Sequence, residues 1–274
     1  MNDMPDDKQP ERKPRLVIAT DNFLPRWDGI ARFLAEIIPR LLQDFDITVI
    51  SPDYGPSVLD GKVTRVLIPV TTKVYGDYTP ARWQPGVVKA AIKDADVVFT
   101  QTIGPIGCLA NRYARTQRKP LAAYIHSIEW ELVPKAIDAP ILKRVAYPLT
   151  KFLTRRLYNR CSLLIVPSEN VAETLLWQRI TAPKTVVHLG VDTRRFVAGN
   201  KGVAKEKLGI PKEAMVIGFH GRLGHEKNLL TLSRAYLRLK RTDLRLLLVG
   251  TGVQELHNRL AKLPGAILPG ATDN

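Results

Sequence analysis

Short apolar runs alternate with amphipathic stretches along most of the chain. Residues 15–20, RLVIAT, are an apolar run bounded by Pro14 and Asp21, which predicts a buried strand. Residues 30–42 place Ile30, Phe33, Leu34, Ile37, Ile38 and Leu41 on one helical face, with Pro39 predicted to kink or shorten the helix. Further strands are predicted at 47–51, 63–70, 96–100, 121–126, 162–167 and 186–189. Helices are predicted at 87–93, 104–116, 142–159 (kinked at Pro148) and 169–177, the last capped by Ser168. Residues 71–85, with Tyr75, Tyr78 and Trp83 among polar neighbours, read as a long loop. Seven short strands separated by helices predict a parallel, doubly wound α/β sheet covered on both faces.

The rhythm pauses at 190–201, a Gly-bearing polar stretch that predicts a domain boundary. A second α/β unit then begins, with strands at 215–220, 244–249 and 266–268 and helices at 227–240 and 253–263. Three strands are fewer than the five or six usual for such a sheet, so the second domain is expected to be incomplete within this chain. Residues 1–14 are polar and Pro-bearing and predict a disordered leader. The organisation expected is a leader at 1–14, a first domain at 15–190 and a partial second domain at 191–274.

A net charge of +15 and a pI near 9.9 point to an anionic partner: nucleic acid, an anionic membrane or a phosphorylated small molecule. Basic surfaces also occur without such a partner. Cys108 and Cys161 lie far apart with no metal-ligand spacing, so buried thiols in a reducing compartment are expected and no metal. No apolar run is long enough to predict a transmembrane helix.

The stretch 215–228, MVIGFHGRLGHEKN, carries the most chemistry. It reads as a strand, a turn bearing Gly221 and Gly224, and the start of a helix. Arg222 and Lys227 flank that turn, and free N–H groups at a helix start also favour negative charge, so the turn suits a phosphate. Taken alone, a solvated basic turn explains it equally well.

The order of the motifs adds to this. DNFLPRWDGIARFLAEI follows the first strand, HSIEWE the fifth and VPSENVAETL the sixth, and VVHLGVDTRRF spans the interdomain link. GFHGRLGHEKNLLTLSRAY and LLLVGTG complete the series, and together they resemble the family 4 (group 1) glycosyltransferases of GT-B architecture. The resemblance covers nearly everything beyond residue 14. It implies two Rossmann-like domains, the N-terminal one on the acceptor side and the C-terminal one holding a nucleotide-sugar donor. It implies a retaining transfer of a sugar to an acceptor hydroxyl of a lipid or glycan, in the cytoplasm or peripherally on the inner face of the membrane. No cofactor is implied beyond the nucleotide-sugar co-substrate.

The same resemblance assigns roles. Arg222 and Lys227 would meet the donor diphosphate, where charge grows as the glycosidic bond breaks, and preorganised cations stabilise that charge. Gly221, Glu226, Gly250 and Gly252 would border the donor. Gly29 would allow close approach near the donor phosphates. Asp28 stands where the family often has a glycine, and it either meets the acceptor or caps the following helix. His126, at a strand's carboxyl end, would lie near the reacting sugar; a lone histidine is more often a satisfied core residue. Glu129, with Glu131, would bind sugar hydroxyls, although exposed acids after a strand are common. The family's later E-x-x-x-x-x-x-x-E pattern does not occur before Asn274.

Residues 141–160 form a basic amphipathic helix in a stretch without Asp or Glu from Ala139 to Ser168. Its apolar set, including Ile141, Leu142, Val145, Leu149, Phe152, Leu153 and Leu157, is expected to pack inward, with cations along a flank facing an anionic membrane surface. A solvated charged face is the plainer alternative. Two other functions are consistent with the chain: a non-catalytic sugar- or lipid-binding remnant at a membrane, and, on charge alone, a nucleic-acid binder. No nucleic-acid-binding motif supports the latter, so no nucleic-acid partner is expected.

Overall fold

The computed structural model describes residues 12–74, 78–135, 140–224 and 227–271. Two compact units meet in sequence between Gly190 and Val191.

In the first unit the elements run β1 (Arg15–Ala19), α1 (Gly29–Leu41), β2 (Asp46–Pro52), β3 (Thr64–Ile68), α2 (Pro85–Ile92), β4 (Val97–Thr100) and α3 (Pro105–Thr116). They continue as β5 (Leu121–Tyr124), α4 (Glu129–Lys135), α5 (Pro140–Tyr158), β6 (Leu163–Val166), α6 (Glu169–Trp177) and β7 (Lys184–Val186). The seven strands pair in the order β3-β2-β1-β4-β5-β6-β7, every pair parallel.

Alternation along β1 shows why the sheet is covered twice. Val17 and Ala19 belong to one buried cluster with Val88, Ile92, Ile106 and Leu109 of α2 and α3. Leu16 and Ile18 point the other way, into a cluster with Ala31, Leu34 and Ile38 of α1. Pro39 lies in the last turn of α1, which ends two residues later. Its missing N–H leaves α1 one hydrogen bond short in that last turn, close to where the helix stops.

Two helices were not expected from the sequence. α4 starts at Glu129, after the link 125–128 that leaves β5. In the segment that follows the first unit, Asn200 caps α7 (Lys201–Lys207) by accepting from Gly202 N and Val203 N. The strand expected at 186–189 forms instead as β7, two residues earlier. The long loop is pinned rather than open: Thr71 N donates to Pro80 O and Arg82 N to Pro69 O, around the Val70–Ala81 bridge. Tyr75 of that loop lies outside the described residues.

The second unit holds α7, β8 (Met215–His220), α8 (Leu229–Arg238), β9 (Leu244–Val249), α9 (Gln254–Ala261) and β10 (Ala266–Gly270). Its three-stranded sheet is parallel in the order β10-β9-β8, and Leu223, Leu229, Tyr236, Leu244, Leu246, Leu248, Leu256 and Leu260 fill its core. α8 starts at Leu229, later than the pattern predicts, because Asn228 takes a left-handed conformation (φ 52°). No helix among the described residues is long and apolar enough to cross a membrane.

Candidate functional site

In the first unit the chain moves from β1 outward to β2 and β3, then returns to the other side of β1 as β4. The connections leaving β1 and β4 therefore diverge at their carboxyl ends, and such a switch point opens the crevice where α/β sheets bind ligands. The residues following β1, β4 and β5 frame it.

Asp21, two residues past the end of β1, is buried. Its Oδ2 accepts from Thr102 Oγ1 at 2.5 Å and from Gly107 N at 3.1 Å, and its Oδ1 accepts from Ile106 N at 2.9 Å. The carboxylate thus occupies the start of α3 and satisfies N–H groups that have no partner within the helix. Burial raises its pKa against the pull of these hydrogen bonds. Sequence reading passed over Asp21 because an acid after a strand looks like any loop residue. The Gly104-Pro105 pair opening a helix was the one available hint.

His126 lies beyond β5, held by two rings. Its centroid is 4.9 Å from that of Phe33 on α1 and 4.6 Å from that of Tyr124. Its Nε2 lies 3.1 Å from Oε1 of Gln101, the first residue past β4. With the amide oxygen facing it, the neutral ring carries its proton on Nε2 and keeps Nδ1 as an acceptor. Burial lowers the His126 pKa to about 4, so the ring is neutral at physiological pH. A neutral imidazole can accept a hydrogen bond from a hydroxyl. Gln101 is only 2% exposed, and its Nε2 has no hydrogen-bond partner in the structure. It is a second residue that sequence reading missed: a lone glutamine after a strand carries no pattern.

Glu129 opens α4 and accepts from Ser127 Oγ at 3.2 Å. Burial drives its pKa up to about 7, with the charge of Asp21 a smaller contribution in the same direction. It is not the exposed acid its position suggested.

Asp28 acts as the cap of α1. Its Oδ1 accepts from Ile30 N at 3.0 Å and Ala31 N at 2.9 Å, while Oδ2 lies 3.2 Å from Arg26 Nη1. Arg26 also reaches Asn22 Oδ1 and stands 5.3 Å from the centre of the Tyr78 ring. Gly29 is exposed beside this cap, and a Cβ there would meet nothing within 4 Å.

The second unit holds the other candidates. Gly221 follows β8, and Gly250 and Gly252 follow β9. A Cβ on Gly250 (φ 135°) would stand 2.0 Å from Gly221 O, and one on Gly252 would stand 2.3 Å from Leu223 O. The close approach these glycines permit is between the two turns themselves. Leu223 N donates to Thr251 O at 2.9 Å and Val253 N to Leu223 O at 3.0 Å, and the Leu223 side chain is fully buried. Anchoring Leu223 inward leaves Arg222 on the exposed side of the same turn, at the carboxyl end of β8. Lys227, also exposed, stands two residues before α8. Glu226 lies outside the described residues. Among the described residues no group of three or more His, Cys, Asp and Glu side chains could hold a metal ion.

The model of Glycosyltransferase Family 4 matches residues 27–195. A GDP-mannose-dependent alpha-mannosyltransferase of Mycolicibacterium smegmatis is 27% identical over 271 residues, spanning 93% of this chain and 68% of that protein. A GDP-mannose-dependent phosphatidylinositol monomannoside mannosyltransferase of the same organism is 25% identical, spanning 86% of this chain and 61% of that protein. Among solved structures, Anabaena HepE in complex with UDP superposes with a TM-score of 0.70 at 16% identity, covering 94% of this chain and 69% of the other. The family match takes in most of the first unit, and the likeness in fold and in sequence runs on through the glycine-locked turn of the second. The chain therefore belongs to glycosyltransferase family 4, as a hexosyl-transferring enzyme of GT-B fold.

Proposed function

We propose that the chain moves a hexose from a nucleoside-diphosphate sugar to a hydroxyl of a lipid or glycan acceptor, with retention at the anomeric carbon. The observation that carries this reading is the turn after β8, where packing of Gly250 against Gly221 and burial of Leu223 fix the backbone that presents Arg222. A fixed cation needs no rearrangement when charge develops on the leaving diphosphate, which is why such groups accelerate the reaction. Arg222 and Lys227 are the residues assigned to that charge, and neither requires a metal. No carboxylate in the chain is assigned as a nucleophile, so attack comes from the face the diphosphate leaves, assisted by its oxygen.

In the first unit, neutral His126 is assigned to a hydroxyl through Nδ1, held in place by Gln101, Phe33 and Tyr124. Asp28 is assigned to capping, which presents Gly29 at the crevice. The names of the mannosyltransferase relatives favour GDP-mannose as donor. The second of those names favours an inositol lipid as acceptor, and that in turn favours the cytoplasmic face of a membrane as the place of work.

Release of nucleoside diphosphate by the purified chain, measured with GDP-mannose and with UDP-glucose in the presence of inositol lipids, tests this. The expected result is acceptor-dependent release that falls by about 10²–10³ in Arg222→Ala, the loss typical of one transition-state charge partner. Binding of nucleotide-sugar without any transfer, or an Arg222→Ala protein as fast as the parent, would overturn the reading.

A further inference from the structure

The connection leaving β1 forms neither helix nor strand from Thr20 to Asp28, yet it is fixed along its length. Thr20 Oγ1 donates to Asn22 O at 2.9 Å and accepts from Asn22 N at 3.2 Å. Phe23 and Leu24 are buried in the core. Arg26 reaches back to Asn22 Oδ1 and lies over the Tyr78 ring. The loop that carries Tyr78 is itself held, because Tyr54 Oη donates to Thr79 O at 2.7 Å. Asp28 is tied to the first turn of α1 through Ile30 N and Ala31 N. The Arg26–Asp28 ion pair, at 3.2 Å, then spans the one residue between them.

That residue is Trp27, and it is 64% exposed. A single exposed apolar side chain is ordinary on a protein surface. Trp27 differs in where it stands and in how it is held. It belongs to a connection that frames the crevice, and its neighbour Gly29 leaves open space where a Cβ would meet nothing within 4 Å. Both residues flanking it are anchored, so the indole is carried on backbone with little freedom left to lose on binding. A large aromatic side chain kept in water on a fixed loop beside a crevice is a surface prepared for a flat apolar ligand face.

We infer that Trp27 is the platform on which the acceptor lays a six-membered polyol ring, a pyranose or an inositol, an inference that rests on the transfer reaction proposed above. One face of such a ring presents C–H groups, while its hydroxyls point outward around the rim. The C–H face is apolar and weakly positive, and the indole face is apolar and negative, so contact removes apolar area from water and aligns opposite partial charges. The rim hydroxyls stay free to hydrogen-bond elsewhere. Trp27 therefore selects for a ring over an open chain.

Saturation-transfer NMR on the full chain without donor tests this. The probes are methyl α-D-mannopyranoside, myo-inositol phosphate and, as the open-chain control, glycerol phosphate. Ring C–H protons of the mannoside or the inositol are expected to receive saturation, and glycerol phosphate should bind more weakly than the preferred ring. Preference for the mannoside assigns the ring to a glycan and preference for the inositol to a lipid headgroup; either supports the inference. Trp27→Ala should weaken ring binding by about three- to tenfold, and Trp27→Phe, which keeps a smaller aromatic face, by less. Trp177 is also exposed but closes α6, which runs back from the carboxyl end of β6 toward the amino end of β7, so Trp177→Ala should bind like the parent. All three variants should keep the parent's unfolding midpoint, because both side chains are exposed. Absence of binding by either ring, equal binding of glycerol phosphate, or Trp27→Ala protein that binds like the parent would overturn the inference. Ring binding through Trp27 without any sugar transfer would sink the enzymatic reading alone. Transfer whose acceptor KM is unchanged in Trp27→Ala would sink the platform alone.

Discussion

His126 and Glu129 are three residues apart and respond to pH in opposite senses. The folded state holds His126 neutral down to about pH 4, against 6.5 in an unfolded chain. Between those values only the unfolded chain takes up the proton, so stability falls as pH drops through the window and is fully present above it. Glu129 stays protonated up to about pH 7, against 4.5 unfolded. Its contribution is fully present below 4.5 and is lost as pH rises through 7. Glu129→Gln removes the second dependence and leaves the first. The variant should therefore gain stability over the parent at pH 8 relative to pH 4.5, by on the order of 3 kcal/mol. Urea unfolding at the two pH values measures this, and a difference that does not change with pH would contradict the burial of Glu129. Gly250 offers a steric test at the same scale. Gly250→Ala forces a Cβ toward Gly221 O, 2.0 Å away, in a left-handed backbone. It should cost the second unit about 2–3 kcal/mol and depress activity with it. Calorimetry that detects no loss would mean the two turns can part freely.

Elements show where local pattern and tertiary choice separate. In α1 the pattern and the cap agree: Asp28 accepts two N–H groups at the start of the helix, and Ala31, Leu34 and Ile38 are buried. Asp28→Ala should cost about 1 kcal/mol, while Asp28→Ser, which can still accept, should cost less. If activity is lost equally in both variants, Asp28 serves the acceptor as well as the helix. In α5 pattern and burial disagree. Periodicity establishes that Leu142, Val145, Leu149 and Phe152 share a face; it does not say which face the sheet will cover. The covered side carries Thr150 and Thr154 with Leu157 and Tyr158, packed where Asn111 and Cys161 also lie. In α8 one left-handed residue, Asn228, delays the helix and leaves Lys227 in the turn rather than in the first helical position.

At the scale of the whole molecule the chain is two units joined through residues 188–200, nearly all exposed. Brief trypsin treatment should cut first after Arg194 or Arg195, leaving fragments that mass spectrometry can identify. Early cleavage within α5 instead, despite its many cations, would mean that helix is the less stable element. The first unit carries the crevice with His126 and Gln101, and the second carries the turn with Arg222. Each variant above can therefore be assigned to one unit by its own unfolding transition.

The sequence by itself determined the element order, the seven-then-three strand rhythm, the break near residue 190 and the cation-bearing turn. These follow from local causes: apolar runs, helical spacing, Gly and Pro punctuation and caps. It also determined the family, through the order of its motifs. Only the tertiary structure decided that Asp21 is the internal ligand of α3, that Gln101 holds His126, and that Glu129 is half-buried rather than exposed. It alone decided that Gly250 and Gly252 serve contact between two turns, and that α5 turns Leu142, Leu149 and Phe152 outward while Leu157 packs inward. Each of these depends on residues brought together from distant parts of the chain, and burial and close approach are properties of that meeting rather than of any local pattern.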